Sequence, residues 1–164
     1  MKPKLILIGG EAWTGKTTCA EILYKRLHNS AWLDGDDVWR VNPWSPDHPH
    51  LRMSDLNMAF VLQTYLQAGF EYVILSSIVL SVPSITVRIL ERISGVEYDL
   101  LSFTLMSDEA TLTERAKRRD NEANPHFIVL EQTRSLTHTI KLDTTDQQPE
   151  EIVTAMLSII HRSV

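Results

Sequence analysis

Apolar residues follow two alternating rhythms along this chain. Short apolar segments at 4–8, 30–34, 72–75, 101–105 (within 98–106) and 139–142 have the length of strands. Between them, 17–28, 53–68, 82–93 and 108–119 carry apolar residues at helical spacing, and a last such segment opens at Pro149. Gly69 and Gly95 stand where the second and third helices should stop, Pro83 suits a first turn, and Ser107 is the expected N-cap of the fourth. In the last helix Ile152, Met156 and Ile160 fall on one stripe, with Val153 and Leu157 beside them. The 72–75 run is apolar at every position, as in a strand covered on both faces. Strands alternating with helices predict an α/β fold with a parallel sheet and right-handed crossovers, built as one domain over 1–164.

The first strand leads directly into Gly10, Glu11, Ala12, Trp13, Thr14, Gly15, Lys16 and Thr17, the pattern G-x-x-x-x-G-K-[ST]. A triphosphate needs many N–H donors at close range, and glycines permit both the approach and the positive φ values. The following helix adds its positive end and unpaired amides, which extends the expected nucleotide contacts to Thr18. In this pattern Lys16 reaches the β- and γ-phosphates, and the Thr17 hydroxyl ligates Mg²⁺. The loop predicts nucleotide binding. Trp13 is expected to pack beside the loop.

Composition narrows the class. The chain has 164 residues, 43% hydrophobic and 23% charged, ordinary values for a soluble globular protein. A net charge of −5 argues against a nucleic-acid partner, and no apolar run is long enough to span a bilayer. The basic start and short apolar stretch are committed to the phosphate loop, so no targeting segment is expected. A single cysteine, Cys19, excludes an intramolecular disulfide and suits the cytoplasm, where it reads as a small core residue.

The second strand is followed by Asp34, Gly35, Asp36, Asp37, Val38, Trp39 and Arg40. Ligands of open α/β folds sit at this carboxyl edge. Carboxylates facing a triphosphate make sense if Mg²⁺ lies between them, or if one takes the proton of an acceptor hydroxyl. Arg40 can hold an anionic or hydroxyl-rich acceptor. An Asp-Gly turn with solvated acids is the plainer alternative.

Together the two motifs resemble the small P-loop kinases of the nucleoside-monophosphate-kinase type. The second is similar to the Asp-Gly-Asp-Asn-hydrophobic-Arg segment of adenylylsulfate kinase, and chloramphenicol phosphotransferase, gluconate kinase and shikimate kinase share the layout. The resemblance implies a P-loop fold, a five-stranded parallel sheet flanked by helices, with a mobile lid. It also implies ATP and Mg²⁺ as cofactors, and Asp36 as the acid that binds the acceptor and takes its proton. The lid would lie at about 115–134, with Arg115 and Arg119, four residues apart on one helix face, neutralising the transferring phosphates. Arg134 is a weaker candidate on the far side of the lid. Asp143, Thr144 and Thr145 resemble the loop beside the adenine, although an Asx turn explains them nearly as well.

One departure stands out. The third strand ends in Leu75, Ser76 and Ser77, without the usual carboxylate, so beside Thr17 the metal is expected to be met either by Asp34 or by Ser76 through water. The GTPase base-reading pattern Asn-Lys-x-Asp is missing, which favours adenine.

The loop over 40–50 is expected to choose the acceptor, through Asn42 and Trp44 together with Asp34, Asp36 and Arg40. Trp39 and Trp44 can stack on a ring, or simply cover a small core. Asn57 either faces the cleft or is solvated. His48 and His50 lack further ligands at zinc spacing. The reading is a kinase acting on a hydroxyl of a nucleoside, sugar, polyol or antibiotic, as a monomer or homodimer. The alternative is a nucleotide-binding ATPase module without an acceptor, in a resistance or regulatory role.

Overall fold

The computed structural model describes residues 2–45 and 47–162. Met1 of the signal-like start and Pro46 of the acceptor loop lie outside the described residues, as do 163 and 164. Five strands, β1 (Lys4–Gly10), β2 (Ser30–Asp34), β3 (Tyr72–Ser76), β4 (Asp99–Met106) and β5 (Ile140–Asp143), form one sheet in the order β2-β3-β1-β4-β5. Every pairing in it is parallel. Six helices connect or follow them: α1 (Lys16–Arg26), α2 (Met53–Gln67), α3 (Pro83–Leu90), α4 (Glu109–Asp120), α5 (Leu130–Ser135) and α6 (Pro149–Arg162).

The central strand shows why apolar runs were unbroken. Leu5 and Leu7 point into a core with Met58, Leu62 and Leu66 of α2 and Ile89 of α3. Ile6 and Ile8 point the other way, against Cys19 and Leu23 of α1 and Ile152, Val153, Met156 and Ile160 of α6. Successive strand side chains alternate faces, so a strand covered on both must be apolar throughout. Each of these Leu and Ile side chains is essentially fully buried, worth roughly 1.5–3 kcal/mol apiece in transfer free energy.

Several boundaries differ from the sequence expectation. The N-cap of α4 is Asp108, whose carboxylate accepts the Thr111 N–H at 2.7 Å, and Ser107 instead meets the Thr145 hydroxyl. Helix α4 begins at Glu109, so Asp108 occupies the cap position, where its negative charge also suits the positive end of the helix. Helix α3 ends at Leu90 rather than 93. Short 3-10 turns follow β2 (Gly35–Val38) and β3 (Ile78–Ser81), and α5 was not anticipated at all. Gly69 does follow the end of α2, with φ of 89°, whereas Gly95, with φ of 70°, turns the chain five residues after α3 has ended and does not stop it.

Candidate functional site

The phosphate loop closes between β1 and α1 around the carbonyl of Glu11. That one oxygen accepts the Thr14 hydroxyl at 2.8 Å and the Lys16 ammonium at 2.7 Å. Gly10 has φ of 142°, and a Cβ there would come within 2.5 Å of the Leu105 carbonyl, so only glycine fits. Its N–H donates to the fully buried Ser81 hydroxyl. Gly15, with φ of 90°, turns the chain into α1, whose first amides no helical carbonyl can reach. Trp13 also adopts a left-handed φ of 61°. Burial pulls the Lys16 ammonium down to about 8, against the opposing pull of Glu11, Asp36 and Asp34.

Glu11 itself has a role that its place in the motif did not reveal. Its buried carboxylate accepts the Val129 N–H at 2.6 Å and the Ala12 N–H at 2.8 Å. Trp13 makes parallel contacts: its indole N–H donates to Asp120 at 2.6 Å, and its ring meets Phe127 edge-on. The segment after α4 is therefore tied at both ends to the phosphate loop.

Asp34 and Asp36 emerge from the end of β2, close enough for their charges to act on Lys16. The Thr17 hydroxyl donates to Asp34 at 2.9 Å, and the other Asp34 oxygen accepts the Asp36 N–H. A Cβ on Gly35 would fall 2.7 Å from the Ser77 hydroxyl, so glycine lets this turn lie against the end of β3. Partial burial, and then the neighbouring Asp34, push the Asp36 carboxyl above the usual range. Ser76 is buried and accepts the Trp32 indole N–H at 3.0 Å, a packing role. Two hard oxygen donors, Thr17 and Asp34, thus meet beside the phosphate loop. They suit Mg²⁺, which takes one or two protein ligands and fills its shell with water and phosphate oxygens. Among the described residues no group of three or more His, Cys, Asp or Glu side chains is arranged to hold a metal.

Two clefts flank this centre. One, of about 670 Å³, is lined by Trp13, Thr14, Gly15, Thr18 and Cys19, by Arg115, Arg118 and Arg119 of α4, and by the 144–149 loop. The other, of about 580 Å³, is lined by Asp36, Trp39, Arg40, Val41, Asn42 and Trp44. Arg40 is exposed and pairs with Asp37.

The two predicted arginines part company. Arg115 reaches the Thr144 hydroxyl and the carbonyls of Trp13, Thr144 and Thr145, joining the phosphate loop to the loop after β5. Arg119 pairs with exposed Asp120, and its charge bears on Lys16. Arg118 also lines the larger cleft. Arg134 pairs with Glu109 and Glu131 and lines neither cleft. Asp143 does form an Asx turn, accepting the Thr145 N–H at 2.9 Å. Asn57 donates to the Val38 carbonyl, while the rings of His48 and His50 pack together.

Sequence reasoning missed Asp55 as well. Its carboxylate is fully buried between Arg52 and Arg88, 3.2 and 3.0 Å away, which fastens α2 to α3. Its only sequence signal was an acidic residue in the first turn of a helix.

No protein-family model matches the chain, and no curated protein matches it in sequence. Solved structures do match its shape. A tunicamycin resistance protein from Deinococcus radiodurans aligns with TM-score 0.72 and 17% identity, over 98% of this chain and 96% of its own. A gluconokinase from Sinorhizobium meliloti aligns with TM-score 0.67 and 20% identity, covering 98% and 93%. The Mycobacterium tuberculosis APS kinase, solved with AMPPNP and APS, aligns with TM-score 0.69 and 14% identity over 98% of both chains. The chain has the fold of the small P-loop kinases, an α/β architecture with a five-stranded parallel sheet flanked by helices. Among the described residues no helix is long and apolar enough to cross a membrane.

Proposed function

We propose that this chain is a kinase that moves the γ-phosphoryl group of ATP to a hydroxyl of a small molecule. The observation that carries the reading is the pair of clefts, one lined by the phosphate loop and the other by Asp36, whose charge acts on Lys16, with the Thr17–Asp34 contact joining the two motifs. A nucleotide-binding module needs the first cleft only.

In this reading the base and ribose occupy the larger cleft, and the phosphates run over the amides of Gly15, Lys16, Thr17 and Thr18. Thr17 and Asp34 would hold Mg²⁺, which supplies neutralisation of the phosphate charge. The acceptor lies in the second cleft with its hydroxyl against Asp36. The acceptor oxygen bonds to the γ-phosphorus as the bond to the β–γ bridging oxygen breaks. ADP leaves with that electron pair, and the hydroxyl proton passes to the Asp36 carboxylate. The elevated proton affinity of Asp36 fits a base. Asp120 and Trp13 bring Arg119 next to the phosphate loop, where its charge can meet the transferring group.

The test separates transfer from hydrolysis. A panel of sugars, polyols, nucleosides and hydroxylated antibiotics is incubated with ATP and Mg²⁺, following phosphorylated product and ADP independently. Wild-type protein should phosphorylate at least one class, and Asp36→Asn should lose transfer while still binding ATP. ATP hydrolysis indifferent to every acceptor and to Asp36→Asn would leave a nucleotide-driven module instead.

A further inference from the structure

The exposed face of α2 carries an apolar stripe that the site described so far does not use. Met53, Leu56 and Phe60 are 50%, 43% and 72% exposed, and they share a helix face with Asn57, Thr64 and Gln67. The face divides along its length. Its N-terminal half, at the carboxyl edge of the sheet, is apolar apart from Asn57, whereas its C-terminal half is polar.

Four contacts join the apolar half to the second cleft. Asn57 donates to the Val38 carbonyl, directly before the cleft residues Trp39 and Arg40. Trp39 packs edge-on against His48, and the His48 and His50 carbonyls accept the N–H groups of Leu51 and Met53. Trp44, 56% exposed, and Val41 supply apolar surface within the cleft itself. The Trp39 indole N–H is buried yet finds no acceptor among the described residues. A buried donor left unmatched costs free energy that a bound acceptor atom restores.

We infer that the phosphoryl acceptor is amphiphilic: its hydroxyl lies at Asp36, and an acyl chain or ring system leaves the cleft past Trp44 along Met53, Leu56 and Phe60. The inference rests on the kinase reading for the role of Asp36, while the apolar platform stands on geometry alone. Met53 and Phe60 are seven residues apart, so the platform is about 10 Å long. Its exposed apolar area is on the order of 300 Å², the size of a functional patch on a monomer. A second copy of the chain is the weaker occupant, because each partner of a stable dimer buries about 800 Å².

Straight-chain primary alcohols from butanol to dodecanol are the probe, since each presents one hydroxyl and a graded tail. Binding is read by tryptophan fluorescence and transfer by ADP release with ATP and Mg²⁺. Affinity should rise roughly 2–4-fold per methylene, then level off once the tail outruns Phe60. Phe60→Ser and Leu56→Ser should flatten that dependence, whereas Gln67→Ser, at the polar end of the same face, should not. Asp36→Asn should keep the dependence and lose transfer. A flat chain-length series overturns the inference, and transfer to short hydroxyl compounds in that case leaves the kinase reading standing. A chain-length dependence with no transfer to any alcohol or panel compound keeps the platform and removes the kinase. Loss of a dimer in sedimentation on Phe60→Ser, or flotation with phosphatidylcholine vesicles abolished by it, assigns the stripe elsewhere and overturns the inference.

Discussion

The carboxylate of Glu11 accepts the backbone N–H of Val129 at 2.6 Å, across 118 residues of sequence. One oxygen of a phosphate-loop side chain thus anchors the far end of the segment that follows α4. The near end is anchored by Trp13 on Asp120. Because Glu11 is fully buried, its carboxylate has no water to replace a lost partner.

Glu11→Gln should therefore do more than remove a charge. An amide can keep one of the two N–H contacts only by turning its own NH₂ toward the other donor. Urea unfolding should show a loss of about 1–3 kcal/mol. Amide exchange at Val129 should accelerate relative to β1, whose protection follows global unfolding. Equal acceleration everywhere would mean that Glu11 supports the fold but not the segment.

Lys16 gives a pH signature. Its ammonium is held down to about 8 by burial in the free protein, and bound phosphates must raise it. Above pH 8 the free protein has lost that proton while the complex retains it, so binding takes up a proton. ATP affinity should fall about tenfold from pH 7 to pH 9, the result for one proton with a free value near 8. Titration calorimetry in buffers of different ionisation enthalpy reads the uptake directly. Lys16→Met should abolish the uptake. An unchanged uptake in that variant would assign it to another group.

The contrast between Lys16 and Glu11 shows what was legible in the sequence. The alternation of strands and helices, the phosphate loop and the acidic turn after β2 are local patterns, written in consecutive residues and set by backbone geometry. The pairing of Thr17 with Asp34 was within reach because both ends carry recognisable motifs. Glu11 with Val129, and Asp55 with Arg52 and Arg88, were not, because a buried carboxylate looks like any surface acid until its distant partner is known. Arg115 and Arg119 were read as equivalent from helical spacing alone. Their environments differ because α4 runs past the 144–145 loop at Arg115 and ends beside Trp13 at Asp120.

Asp36 links activity to stability with opposite signs. Its folded proton affinity is raised, so between the ordinary carboxylate range and that raised value the folded state binds more protons than the unfolded chain. Stability from this group is present below that window and is lost as pH rises through it. Asp36→Asn should accordingly melt higher than wild type at pH 7, and the gain should vanish in mild acid where both forms are neutral. Transfer runs the other way, falling in wild type as pH drops through the raised value, because the base must be ionised. Calorimetric melting and initial rates across the same pH series test both limbs. A variant that melts lower at pH 7 would show that Asp36 is held by its partners rather than strained by them.

Arg115 and Arg119 should separate in kinetics as they do in space. Arg115 makes its contacts to two loops that line the larger cleft, through uncharged carbonyl and hydroxyl oxygens. Arg115→Met should cost about 2 kcal/mol of stability through lost charged hydrogen bonds, and raise KM for ATP with a smaller effect on kcat. Arg119 pairs with the exposed Asp120, and a surface ion pair of this kind adds little to stability. Arg119→Met should leave the melting temperature nearly unchanged and lower kcat by about 10²-fold or more, the scale for one donor that stabilises developing charge. Arg119→Lys should restore only part of the rate, since an ammonium cannot bind two phosphate oxygens as a planar fork does. Should Arg119→Met retain full kcat, the neutralising role passes to Arg118, the remaining arginine of α4 that lines the cleft.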